Sequence, residues 1–267
     1  MDPETRFGVL LTVAYDGAAF SGFARQPSAR TVAGELDGAV RAIDPTASLV
    51  RGASRTDAGV HALSQRVAFD TRLDIPPRGW TLSLARHLSS EIAIVGAARV
   101  PPDYDPRSHS VRKLYRYRLL RSPVRDPLLR QRAWRLDERL NHVAMCAEAA
   151  ALLGSHDFRA FRTSTDERTD TVRTIFRADL VEDTFDSRML CVEIEGDRFL
   201  HRMVRIIVGT IVDVGRGRLE PGAICRGLTT GDRRVLGITA PPDGLYLATL
   251  ELDDDGADKW PDHLSVR

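Results

Sequence analysis

Few residues in this chain are arranged as a reacting centre would need them. The most suggestive is Asp57, inside RGASRTDAGVHA at residues 51–62. An ionised carboxylate can act as a nucleophile or take up a proton. Arg55 places a cation two residues earlier, and Ala58-Gly59 permits tight backbone and the close approach of a ligand. The same stretch suits a hairpin turn in which the aspartate bonds nearby amides, and taken alone it favours that structural role. Tyr115 lies among Arg112, Lys113, Arg116 and Arg118. An aromatic face interleaved with cations suits a stacked nucleobase whose phosphates are held close by, while a tyrosine on a half-buried strand equally serves a core. Arg205 shares the flank of an apolar helix with Arg202 and Gly209. Facing a cleft, its guanidinium would pair a carboxylate and keep it ionised; facing solvent, its stem would lie along the apolar surface. The spacing does not choose. The seven histidines show no metal-ligand spacing, so no metal site is expected. Phosphate-binding loops, dinucleotide fingerprints and G-x-S-x-G elbows are absent from the sequence.

These residues need elements to hold them. FGVLLTVAYDG (7–17) reads as a strand ending at the turn pair Asp16-Gly17. Val32, Leu36, Val40 and Ile43 recur at helical spacing behind Thr31, a natural N-cap. SLVRGA and SQRVAFDT read as strands on either side of the Asp57 stretch, WTLSLARHL as a short helix and EIAIVGAARV as a strand. Pro101, Pro102 and Pro106 mark a junction between subdomains, giving 1–105 and 106–267. VRKLYRYRLL is a strand with Tyr115, Tyr117 and Leu119 on one face and basic residues on the other. A helix from Asp137 to Gly154 and strands near 172–183 and 188–196 follow. The strongest periodicity is in FLHRMVRIIVGTIVDVG, where Leu200, Met203, Val204, Ile207, Val208, Ile211 and Val212 line one face. GLYLATLEL (244–252) closes as a strand. Strands with helices laid against them in both halves predict an α+β architecture of two related subdomains.

With 267 residues there is length for a sizeable core. No apolar run is long enough to span a membrane. The acidic start MDPETRFGVLL argues against a secretory signal, and three scattered cysteines (Cys146, Cys191, Cys225) fit a reducing cytoplasm. Net charge is only +1, yet residues 107–139 carry ten arginines and one lysine against three acids, and residues 251–262 carry six acids against one lysine. A basic middle before an acidic end gives one electropositive region, which suits RNA or DNA.

Six segments in chain order resemble the TruA-type tRNA pseudouridine synthases: YDGAAFSGFARQ (15–26), GASRTDAGVHA (52–62), RKLYRYRL (112–119), DFRAFRTS (157–164), DRFLHRMVRIIVG (197–209) and GLYL (244–247). The resemblance runs from about Val9 to Leu250. It implies two α+β halves with mainly antiparallel sheets and an active-site cleft between them. It implies a homodimer that binds the anticodon stem-loop of tRNA and isomerises uridine to pseudouridine, typically at positions 38–40, without metal or cofactor. By the same resemblance Asp57 is the catalytic carboxylate and Arg205 the arginine paired with it. Tyr115 contacts the target uracil, Arg55 helps take the nucleotide out of its stack, and Leu245 makes an apolar contact to the base. His61 is left with a structural role. The chain departs from the family where G-W-Q-R-Q becomes Gly22-Phe23-Ala24-Arg25-Gln26, where Ser89 replaces a proline after Leu88, and where Asp105 stands for a histidine. None of these is Asp57, Tyr115 or Arg205; they fall in RNA-contacting or structural loops and bear on which uridines are modified. The rival readings are a non-catalytic tRNA-binding or folding module on the same scaffold, and a glycoside or nucleoside hydrolase. The latter would need a second carboxylate acting as acid or base opposite Asp57, and the Tyr115 strand offers none.

Overall fold

The computed structural model describes residues 6–137, 139–163 and 169–253; most of the acidic C-terminal end lies outside them. The chain divides into two compact units, one running to Val111 and rejoined from Leu247, the other spanning Arg112–Tyr246. Pro101, Pro102 and Pro106 lie inside the first unit. The chain passes between units within two strands instead of through a proline-rich linker, so composition alone carries no mark of the boundary.

The first unit is built round β1 (Phe7–Tyr15), which pairs antiparallel with β3 (His61–Thr71) and β4 (Ile92–Val100). On β3, the short β2 (Arg51–Gly52) adds an antiparallel pair, and β10 (Leu245–Leu252) lies beside it. β2 is shorter than SLVRGA suggests, because the Val50 amide and carbonyl before it are engaged by the Asp37 and Arg25 side chains. Helix α1 (Val32–Ile43) starts where expected: the Thr31 hydroxyl accepts the Gly34 N–H at 3.3 Å. It buries Val32, Leu36 and Val40 completely. Helix α2 (Pro77–Leu84) uses proline at its first position, where the missing N–H costs nothing, and seats Trp80 edge-on to Phe69 with ring centroids 5.0 Å apart. Fully burying side chains such as Leu36 and Trp80 stabilises the unit by roughly 1.5–3 kcal/mol each.

The second unit has the strand order β5 (Ser110–Arg121), β9 (Met189–Gly196), β8 (Val172–Glu182), β7 (Gly154–Asp157), all antiparallel, with β6 (Trp134–Leu136) parallel to β5. Helix α3 (His142–Ala150) begins later than Asp137, because Leu136 belongs to β6 and Asn141 supplies the cap, accepting the Ala144 N–H at 3.1 Å. Helix α4 (Met203–Gly215) is the most buried element. Every residue of it but Arg205 is buried, so the apolar stripe read from its spacing is part of a helix enclosed almost all round. Thr210 and Asp213, polar yet enclosed, are matched by the Gly237 and Ile238 amides at 3.0 and 3.1 Å. Leu200 stays outside the helix, since Arg202 adopts a left-handed conformation (φ +61°) just before it. Helix α5 (Ala223–Thr230) has no side-chain cap of its own; buried Glu148 of α3 accepts the Gly222 and Ile224 amides instead. Both units are thus α+β with mainly antiparallel sheets, and among the described residues no helix is long and apolar enough to cross a membrane.

The end of α1 is tied to the end of β3 by Asp44, which is 4% exposed. Burial alone would raise this carboxyl. Hydrogen bonds from the Thr71 hydroxyl (2.6 Å), the Thr46 hydroxyl and amide (2.7 and 2.9 Å) and the Arg72 amide (3.1 Å) outweigh it. The net effect lowers it from 3.8 to about 2. A carboxyl lowered on folding contributes its full stability above its unfolded value and loses it as pH falls through the folded one. Asp44→Asn is therefore expected to cost about 2 kcal/mol near neutral pH. Urea unfolding of the variant and the parent at a series of pH values should show the gap narrowing as pH falls from about 4 towards 2.

Candidate active site

The Asp57 segment is held from both sides by backbone hydrogen bonds. On one side lies the loop that follows β1. Phe23 N–H donates to the Thr56 carbonyl at 3.1 Å, and Gly59 N–H donates to the Phe20 carbonyl at 3.3 Å. Gly22 sits at φ +98° with its bare Cα turned to the segment; a Cβ there would lie 2.9 Å from the Thr56 oxygen and 3.2 Å from the Ala58 nitrogen. Glycine is needed for both the conformation and the distance. On the other side, fully buried Gln65 accepts the Ser54 N–H at 3.2 Å and donates to the Ser54 carbonyl at 2.8 Å. This side chain extends the pairing of β2 with β3 past the point where the strand ends. Tyr15 and Thr56 join hydroxyls at 2.8 Å beneath the loop. His61 is buried and accepts the Gly17 N–H at Nδ1, 3.1 Å, which is a structural contact.

Asp57 itself is half-buried and opens a turn in which its carbonyl accepts the Val60 N–H at 3.1 Å. Arg55 is exposed. The two share one loop of the first unit. Fixed backbone beneath a partly accessible carboxylate is what a group acting on a bound molecule requires, because little reorganisation is left to the moment of reaction.

The other three candidates belong to the second unit. Tyr115 is 6% exposed, opposite Ile194 in the β5–β9 register, with its ring edge-on to Phe199 at a centroid distance of 5.0 Å. Leu245, 5% exposed, opens β10. Arg205 in the first turn of α4 is half-exposed and donates from Nε to the Ala240 carbonyl at 2.8 Å, while Ala240 N–H returns a bond to the Arg205 carbonyl at 3.0 Å. The loop running to Leu245 is therefore clamped to the helix at Arg205. Tyr117, which the spacing places only on the Tyr115 face of its strand, completes this clamp. Fully buried on the same strand face as Tyr115, it donates its hydroxyl to the Pro241 carbonyl at 2.7 Å. Burial pushes its phenol well above the ordinary range, partly opposed by the charge of Arg205.

The outward face of β5 resolves much of the basic stretch into ion pairs. Arg116 meets Glu193 at 2.7 Å directly across the ladder, and Arg177 of β8 reaches the same carboxylate at 2.6 Å. Arg112 lies 3.7 Å from Glu195 and stacks on Phe176 at 4.5 Å. Arg121 holds Glu182 with both terminal nitrogens, at 2.9 and 3.0 Å. By contrast Arg125 and Arg130, in the loop between β5 and β6, are exposed. Among the described residues no group of three or more His, Cys, Asp or Glu is placed to hold a metal ion.

A family model described as tRNA pseudouridine synthase matches residues 11–107 and 149–253. The match includes Arg55, Asp57, Arg205 and Leu245, whereas Tyr115 falls between its two parts. A protein of Geotalea daltonii named tRNA pseudouridine synthase A is 38% identical over 239 residues, covering 90% of this chain and 97% of its own length. The protein of that name from Listeria innocua is 35% identical over 251 residues, covering 93% of this chain and 100% of its own. Among solved structures, a Cbf5-Nop10-Gar1 complex shows a TM-score of 0.33 at 9% identity, over 77% of this chain and 44% of the matched one, too faint a likeness to inform the site.

Gly52 illustrates how tightly the Asp57 segment is packed. A methyl group there would lie 2.3 Å from Cε1 of Phe23. Gly52→Ala is expected to destabilise the protein by roughly 1–3 kcal/mol. Combined with Phe23→Leu, the loss should fall short of the sum of the two single losses. Urea unfolding of the four proteins in the cycle gives this coupling directly, and strict additivity would place the ring elsewhere.

Proposed function

Because the chain belongs to the tRNA pseudouridine synthase family, we propose that Asp57 is the carboxylate with which it isomerises uridine to pseudouridine in the anticodon arm of tRNA, at positions 38–40. The observation that carries this reading is the loop around Asp57. Its backbone is bonded to neighbours at Thr56, Ser54 and Gly59, yet the carboxylate is left half-exposed inside the matched region.

The reaction needs a base removed from its stack, at a cost of a few kcal/mol. The glycosidic bond at nitrogen 1 then breaks, the uracil turns, carbon 5 bonds to the ribose and gives up its proton, and nitrogen 1 ends protonated. A carboxylate suits either of two tasks in this sequence, attack or proton removal. Arg205 has the role of the site's arginine, a guanidinium being the cation best shaped to pair with an anionic group. Tyr115 offers a ring against which the uracil stacks, and its edge contact with Phe199 fixes the plane of that ring. Leu245 adds apolar contact to the base, and exposed Arg55 takes part in holding the nucleotide out of the helix. Substrate binding draws on the tRNA phosphates, with Arg125 and Arg130 among the cations exposed to meet them. In this reading the enzyme works as a homodimer in the cytoplasm and uses neither metal nor organic cofactor.

Asp57→Asn is expected to lower pseudouridine formation by roughly 10²–10⁴-fold or more, with tRNA affinity within a few-fold of the parent. Tritium release from 5-tritiated uridine in tRNA, alongside filter binding, measures both. Sustained turnover in the variant would overturn the role of Asp57. Mapping pseudouridines in tRNA from cells lacking this protein tests the positions, and an unchanged anticodon arm would refute them.

A further inference from the structure

The Asp57 loop leans on residues 20–26, and that loop is fastened at its far end by an ion pair. Arg25 directs Nε and Nη2 at the two oxygens of Asp37 on α1, the Nη2 contact being 2.6 Å. Both partners also hold Val50: the Asp37 carboxylate accepts its N–H at 2.8 Å, and Arg25 Nη2 donates to its carbonyl at 2.9 Å. The result is a closed ring joining the loop, the helix and the segment that leads into β2. From the fastened end the loop runs back to the site. Gly22 and Phe23 carbonyls accept the Val32 and Ala33 amides at the start of α1, at 3.2 and 2.9 Å, and the same two residues press against Thr56 and Asp57. The Gln26 side chain closes the loop on the Ser21 carbonyl at 2.7 Å.

We propose that Arg25 and Asp37 are positioning residues for the reaction, setting through this loop where the Asp57 carboxylate stands. The proposal rests on Asp57 being the reacting group. Two features separate it from the plainer reading of Arg25 as a phosphate contact. The Nε and Nη2 edge of the guanidinium, the edge that would clasp a phosphate in bidentate fashion beside Asp37, is committed inside the protein to Asp37 and Val50. Asp37, with a side chain only 10% exposed, carries the wrong charge to meet a phosphate, yet it holds the other half of the ring.

The experiment is steady-state kinetics of pseudouridine formation for Arg25→Ala, Arg25→Lys, Asp37→Asn and the double variant Arg25→Ala/Asp37→Asn. It is run well below each protein's unfolding midpoint, with circular dichroism confirming the fold. The expected result is a fall in kcat of roughly tenfold to a hundredfold, the scale of a misplacement near 1 Å, while KM for tRNA stays within about twofold. Arg25→Lys should fall with the others, because an ammonium keeps the charge but not the fork. The double variant should be no worse than the poorer single one, as for two residues acting through one contact. A rise in KM with unchanged kcat and a shallower salt dependence of binding, in Arg25→Ala and not in Asp37→Asn, would make Arg25 an RNA contact and overturn the proposal. A lowered unfolding midpoint with parental kcat would reduce the pair to a stability role and overturn it equally. Asp57→Asn in the same assay keeps the two ideas apart. If that variant is inert while the Arg25 and Asp37 variants turn over normally, only the positioning role fails. If it is active, the reading of Asp57 fails first.

Discussion

The arrangement of the first unit depends on how closely two irregular segments, residues 17–23 and 56–60, can approach one another. Their backbones exchange hydrogen bonds from Phe23 and Gly59, and no side chain intervenes where Gly22 faces Thr56 and Ala58. Apart from a single 3-10 turn at Gly17–Ala19, neither segment belongs to a strand or helix, so much of each would otherwise leave amides and carbonyls to be satisfied by water. Joined, they form a plate that caps the start of α1 through the Gly22 and Phe23 carbonyls and rests on the Tyr15–Thr56 hydroxyl pair. Gln65 does the same for Ser54 from the β3 side. The carboxylate of Asp57 therefore stands on a surface stitched in three directions, which explains why so many small residues occur around it.

The second unit meets a similar need by different means. Its irregular segment, residues 236–244, is laid along α4 and bonded to it by Thr210, Asp213 and Arg205, then latched by the Tyr117 hydroxyl at Pro241. Enclosing a helix this fully requires that its polar side chains find partners, because an unpaired buried group costs 1–3 kcal/mol. In both units, then, the loop that carries a candidate residue is ordered by side chains and amides drawn from regular elements.

How much of this could be read from residues alone follows the same division. Elements with strong periodicity were legible: α1 with its Thr31 cap, β4, β5 and the helix of Arg205 all lie where their spacing predicts. Motif identity singled out Asp57, Arg205 and their neighbours without any knowledge of their surroundings. What escaped were features made by tertiary contact. α5 depends on Glu148, more than seventy residues earlier in the chain, to satisfy its first amides. α3 starts at Asn141 because β6 claims Leu136, and the parallel β5–β6 pairing leaves no local trace. The unit boundary falls inside β5 and β10, where hydrophobic patterning is continuous and no turn residues mark it. The carbonyl that Tyr117 meets lies on a remote loop, so its sequence neighbours cannot disclose it.

Charge shows the same limit most clearly, and it bears on binding. Counted along the chain, residues 107–139 look like a uniformly basic stripe. Folded, the strand part of that stripe faces acidic residues contributed by β8 and β9, because antiparallel pairing sets Arg116 opposite Glu193 and brings Glu195 and Glu182 within reach of Arg112 and Arg121. An arginine already paired gains less from a phosphate, since its carboxylate must first be released to water. The exposed loop arginines face no such cost. Affinity for a polyanion scales with the phosphates actually neutralised and the counterions they release. A chain with net charge of +1 can thus still present a basic surface through its exposed loop arginines, while the paired ones hold strands and loops in register.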